Sequence, residues 1–92
     1  MSVLLVADVP GGTAEQDDAM VKALGLADDP PVGARWRVAG PSDTGWRIVS
    51  LWDSQEAFEA FRAARLTAAL QQQGRAAPTL EFWPIETVIA YP

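Results

Sequence analysis

The chain has 92 residues, 49% of them hydrophobic and 21% charged, with a net charge of −5 and neither Cys nor His. That length fits one domain spanning residues 1–92, and a chain so short buries only about 60% of its unfolded surface unless it associates. The missing Cys and His exclude disulfides, thiolate nucleophiles, imidazole bases and imidazole haem ligation. The acidic balance speaks against a nucleic-acid binder, which needs a basic stripe. Six of the seven cations are Arg, the residue suited to planar, bidentate anion recognition, and Lys22 is the exception. The apolar run Val3–Ala7 is too short for a signal segment and has no basic stretch before it. No run approaches the 18 apolar residues of a membrane span, so a cytoplasmic protein with no membrane partner is expected.

Val3–Ala7 is apolar on both alternating faces, as a central strand covered on both sides would be. Pro10-Gly11-Gly12 breaks it. Thr13, with Gln16 three residues later, starts a helix, and Glu15, Asp17 and Asp18 favour its N-terminal dipole. Met20, Ala23 and Leu24 give that helix its apolar stripe, and Gly25 stops it. Asp28–Pro31 is a loop. Ala34–Ala39 and Trp46–Trp52 read as two strands of a hairpin, joined by the turn cluster Gly40–Gly45. Asp53 or Ser54 caps a long helix reaching about Gln73, which Gly74 ends. Thr79–Tyr91 is a last strand, interrupted by Pro84, which belongs at a sheet edge.

The order is βαββαβ, an α+β ferredoxin-like fold with a four-stranded antiparallel sheet, its first and third strands central. Both faces of those strands carry apolar residues: Val3, Leu5 and Ala7 opposite Leu4 and Val6, and Trp46, Ile48 and Trp52 opposite Val49 and Leu51. Two helices cover one face only. The other exposes a patch of several hundred Å2, more than monomers usually tolerate, so a homodimer pairing two sheets in a barrel-like core is expected.

Ser50–Phe61 (SLWDSQEAFEAF) resembles the strand-to-helix signature of the dimeric α+β barrel superfamily, which includes antibiotic-biosynthesis and haem-degrading monooxygenases. Trp52, Ser54, Ala57 and Phe58 match it. Pro10–Thr13 and Val38–Pro41 also resemble small bacterial members of unassigned function. By position, Phe61, Gln71 and Asp8 stand where the haem-degrading branch has Trp, His and Asn. Arg37 and Glu86 stand where small relatives carry His. With no His, the resemblance does not extend to haem degradation. It implies a cofactor-independent, monooxygenase-like enzyme acting on a small aromatic or polyketide-type ligand, with no flavin, haem or metal required. A polyketide cyclase or isomerase on the same fold is the alternative, and a non-catalytic dimeric ligand-binding accessory protein is the alternative from another class.

Several residues are candidates for chemistry. Trp36, Trp46, Trp52 and Trp83 are strand residues, and Phe58 and Phe61 share a helix face. Trp36, Trp46, Phe58, Phe61 and Trp83 are candidates to line a pocket, against the plainer reading of core and interface. Arg65 falls inside the apolar stripe of the second helix, either as an anion stabiliser or turned outward by a kink, and Gln72 shares its face. Glu86 and Asp8 are the candidate proton acceptors. Arg65 and Arg37 are the candidate cations for the resulting anion, with an Arg37–Glu86 salt bridge between subunits as the structural alternative. The turn Pro10–Thr13 lacks the Lys and the spacing of a nucleotide loop.

Overall fold

The computed structural model describes Met1–Pro92. Its elements are β1 (Ser2–Pro10), α1 (Ala14–Leu24), β2 (Ala34–Ser42), β3 (Gly45–Trp52), α2 (Gln55–Phe61), a π-helical turn (Arg62–Leu66), α3 (Thr67–Gln72) and β4 (Thr79–Ile85). The βαββαβ order therefore holds, with the second helix in three pieces. The sheet order is β2-β3-β1-β4, antiparallel throughout, so β1 and β3 are central and β2 and β4 are edges.

Local chemistry explains the helix ends. The Thr13 hydroxyl accepts the Gln16 N–H at 3.2 Å, and Gly25, at φ 64°, donates its N–H to Lys22 at the other end of α1. The cap of α2 is Ser54, whose hydroxyl accepts the Ala57 N–H at 3.1 Å. Asp53 is engaged elsewhere, accepting Arg35 through both carboxylate oxygens at 2.6 and 2.9 Å.

Three expected boundaries move. The hairpin turn shrinks from Gly40–Gly45 to Asp43-Thr44, because Gly40 pairs with Arg47, Pro41 with Trp46 and Ser42 with Gly45. The last strand ends at Ile85 rather than Tyr91. Ile85 pairs with Ser2, where β1 begins, so residues 86–91 have no neighbouring strand to hold them. The helix after Ser54 takes the wider π turn at Arg62–Leu66, and such an extra residue rotates the downstream positions relative to the stripe before it.

Strand alternation gives the sheet two different faces. Val3, Leu5 and Ala7 are buried and point to the helices, together with Trp52, Ser50, Ile48 and Trp46 of β3 and Phe82 and Leu80 of β4. The core concentrates at one end of this face, around Val3, Leu5, Trp52 and Phe58. Phe58 stacks edge-on to Trp52 at 5.3 Å and to Phe82 at 5.6 Å, while Phe61 lies 5.6 Å from Trp52. Each such aromatic pair contributes about 0.5–1.5 kcal/mol beyond the burial of its area. The Trp52 indole N–H is satisfied by the Ser50 hydroxyl at 3.0 Å. The opposite face carries Leu4, Val6, Val49, Leu51, Trp36, Val38 and Trp83, with no helix over it. Trp36 is 44%, Val38 58% and Trp83 49% exposed.

Candidate functional site

The other half of the helix-facing side is hollow. A partly open cavity of about 330 Å3 lies there, floored by Leu5, Ala7 and Val9 of β1 and Trp46 and Ile48 of β3. Thr13, Gln16, Asp17, Met20 and Leu24 of α1 form one wall, and Phe58, Phe61, Leu66 and Leu70 form another. The hollow follows from the sequence of α1. Of the α1 residues that border it, Gln16 and Asp17 are polar, only Leu24 is buried, and the floor beneath includes the short side chain of Ala7.

Ion pairs set the electrostatics. Arg37 reaches from β2 to α1 and donates to both carboxylate oxygens of Asp17, in one contact at 3.2 Å and in a second, shorter one. The two side chains are 30% and 13% exposed, so the pair sits in the cavity wall largely out of water. Asp17 is the sole carboxylate bordering the cavity. The Trp46 indole N–H is buried there without an acceptor. Elsewhere Asp18, Asp53 and Asp8 hold Lys22, Arg35 and Arg47 above the usual range of those cations, first through a side-chain hydrogen bond and then through charge. These three cations are solvent-facing, and their pairs are of the kind that contributes little to stability. No three carboxylates gather into a metal-sized cluster.

Of the ten residues singled out from sequence, Arg37, Trp36, Trp46, Phe58 and Phe61 border the cavity. Trp36 does so from the β2 edge, since it pairs with Leu51 on the open face. The other five lie apart from it. Asp8 accepts Arg47 at 2.7 Å on the open face. Trp83 is on that face also, paired with Leu4. Glu86 sits in the exposed bend after β4, and Gln72 is exposed at the end of α3. Arg65 lies in the π turn and is not among the residues that line the cavity. Its guanidinium donates to the Leu24 carbonyl and, at 3.0 Å, to the Asp29 carbonyl, with its Cζ 5.4 Å from the centre of the Phe61 ring.

Asp17 was legible only as dipole-favouring charge, although it stands three residues before Met20 and seven before Leu24, on the apolar stripe. A carboxylate at that spacing is the same anomaly as the cation Arg65 in the second helix. Arg35 and Arg37 stand two residues apart in β2, a spacing that in a regular strand puts both side chains on one face. A register shift between Ala34 and Trp36 separates them, sending Arg35 to Asp53 and Arg37 to Asp17.

No protein-family model and no curated protein matches this sequence. Solved structures do match. One is a provisionally named antibiotic biosynthesis monooxygenase from Chloroflexus aurantiacus J-10-fl, with TM-score 0.63 and 19% identity over 96% of this chain and 97% of that one. Another, a provisionally named antibiotic biosynthesis monooxygenase from Deinococcus radiodurans, has TM-score 0.63 and 14% identity, covering 100% of this chain and 99% of that one. The chain therefore has the ferredoxin-like α+β fold of antibiotic biosynthesis monooxygenase-like proteins. At such identities the likeness is one of fold, and chemistry has to be argued from the site.

Proposed function

We propose that the protein is a cofactor-independent oxygenase of small aromatic or polyketide-type substrates, and that it works in the cytoplasm as a homodimer. The observation that carries the reading is the apolar cavity with a single carboxylate, Asp17, held by Arg37 in its wall. Apolar walls receive a planar ring system and keep water from it. Asp17 takes a proton from an acidic ring C–H, and Arg37 holds the oxygen on which the negative charge then rests. The enolate so formed is electron-rich enough to react with dioxygen directly. A C–O bond forms, and loss of water from the resulting hydroperoxide turns CH2 into C=O. One oxygen atom enters the product, the other leaves as water, and the substrate carbon supplies all four electrons.

The dimer rests on the open face. Only nine of 92 residues are buried in the single chain, and Trp36, Val38 and Trp83 stand exposed beside Leu4, Val6 and Val49. A second copy laid sheet to sheet covers this apolar surface, which a lone domain of this size rarely leaves wet.

Oxygen uptake with anthrone-type substrates tests the chemistry. The wild type is expected to consume one dioxygen per quinone formed, with Asp17→Asn and Arg37→Gln each lowering kcat at least about a hundredfold, the low end of the usual acid–base contribution. Turnover without oxygen uptake, as ring closure or isomerisation, would instead make the protein a cyclase on the same fold. Binding without turnover would make it an accessory protein.

A further inference from the structure

Six of the seven cations have a carboxylate within 4 Å: Lys22 with Asp18, Arg35 with Asp53, Arg37 with Asp17, Arg47 with Asp8, Arg62 with Glu59 and Arg65 with Asp29. Arg75 has none, and its side chain makes no hydrogen bond within the protein. In a chain of net charge −5, an Arg left without a partner is unexpected, since acceptors outnumber cations.

The position of Arg75 is fixed all the same. Gly74, at φ 65°, ends α3 in the left-handed conformation, and the Arg75 N–H donates to the Leu70 carbonyl at 2.9 Å. Gly74 N–H also donates to Gln71 at 3.1 Å, so backbone groups already serve carbonyls at the end of this helix. The side chain is half-buried, bordering the main cavity and a neighbouring hollow of about 250 Å3 beside Leu66 and Leu70. No acidic residue lines that second hollow, and the one other cation there, Arg62, is neutralised by Glu59 at 2.6 Å. Asp17, the only carboxylate of the main cavity, is doubly engaged by Arg37.

We propose that the ligand of this cavity carries a carboxylate and that Arg75 binds it. The inference rests on the cavity being a ligand site, and it adds the class of ligand: an apolar ring system ending in an organic anion. The guanidinium fork matches a carboxylate through two parallel hydrogen bonds. Its setting between apolar walls makes that contact stronger than one made in open water. Arg75 is thus a specificity-determining residue, separate from the Asp17–Arg37 pair that handles the proton.

Calorimetric titration with 2-naphthoate and 2-naphthalenemethanol, which share a ring system and differ in charge, tests both layers. The wild type is expected to bind the carboxylate at least about tenfold more tightly than the alcohol, the low end for a charge-assisted hydrogen bond. Arg75→Gln should erase that preference while leaving the affinity for the alcohol unchanged. Arg75→Lys should keep part of it, and thermal melts verify that both variants fold. Equal binding of the two compounds by the wild type, or a preference that survives Arg75→Gln, overturns the assignment of Arg75 and leaves the cavity reading standing. Failure of the wild type to bind either compound overturns both.

Discussion

Ala7→Leu separates a built cavity from loose packing. Ala7 is 6% exposed, faces the helices from the centre of β1, and lies on the cavity floor. The substitution adds three carbon atoms, whose burial is worth about 0.8 kcal/mol each, or roughly 2.4 kcal/mol in all. Ordering the leucine side chain takes back about 0.5–1 kcal/mol, leaving a gain of roughly 1.5 kcal/mol. For a domain near this size, each kcal/mol moves Tm by about 4–8 °C, so a rise of about 6–12 °C is expected. Melts of wild type and variant at one matched protein concentration measure it, because association makes Tm concentration-dependent. The same leucine occupies ligand space, so 2-naphthalenemethanol binding should weaken as stability increases. In a tightly packed interior the identical change would cost about 1–3 kcal/mol through strain. A lowered Tm would therefore show that no usable hollow stands over Ala7, and the case for the cavity would fail with it.

Other substitutions address the remaining contacts. Arg65→Met removes donors from the Leu24 and Asp29 carbonyls, and should cost about 1.5–3 kcal/mol in urea unfolding. Turnover per folded molecule should stay unchanged, and a selective loss of kcat would put Arg65 back among the catalytic groups. Val38→Glu places a charge on the open sheet face, and should yield a monomer in sedimentation equilibrium under conditions where the proposed homodimer predicts a dimeric wild type. Gly45→Ala would set a Cβ 2.4 Å from the Gly11 nitrogen and 2.5 Å from the Val9 carbonyl oxygen, contacts with backbone that cannot swing away. It should cost roughly 3 kcal/mol, read as a lowered denaturation midpoint at unchanged slope.

Local signals fixed much of this molecule, because they act over a few residues. Thr13 with Gln16, Ser54 with Ala57, Gly25 and Gly74 each set a helix end through hydrogen bonds that close within five residues. Alternating apolar residues in Val3–Ala7 and Trp46–Trp52 announced central strands with two apolar faces, and Pro84 marked an edge. The βαββαβ order and the sheet arrangement followed from these.

The end of β4 did not, since it depends on where a distant partner strand begins. Nor did the site. Arg37 and Asp17 lie 20 positions apart, and their meeting depends on a register shift in β2 and on how α1 crosses the sheet. Arg65 spends its guanidinium on the carbonyls of Leu24 and Asp29, 41 and 36 positions away, contacts that the spacing of Phe58 and Phe61 does not foretell. The cavity itself is a shortage of volume summed over β1, β3 and α1. Propensity and periodicity say which face of an element turns inward. Only the assembled tertiary structure decides whether the side chains on that face fill the space they enclose.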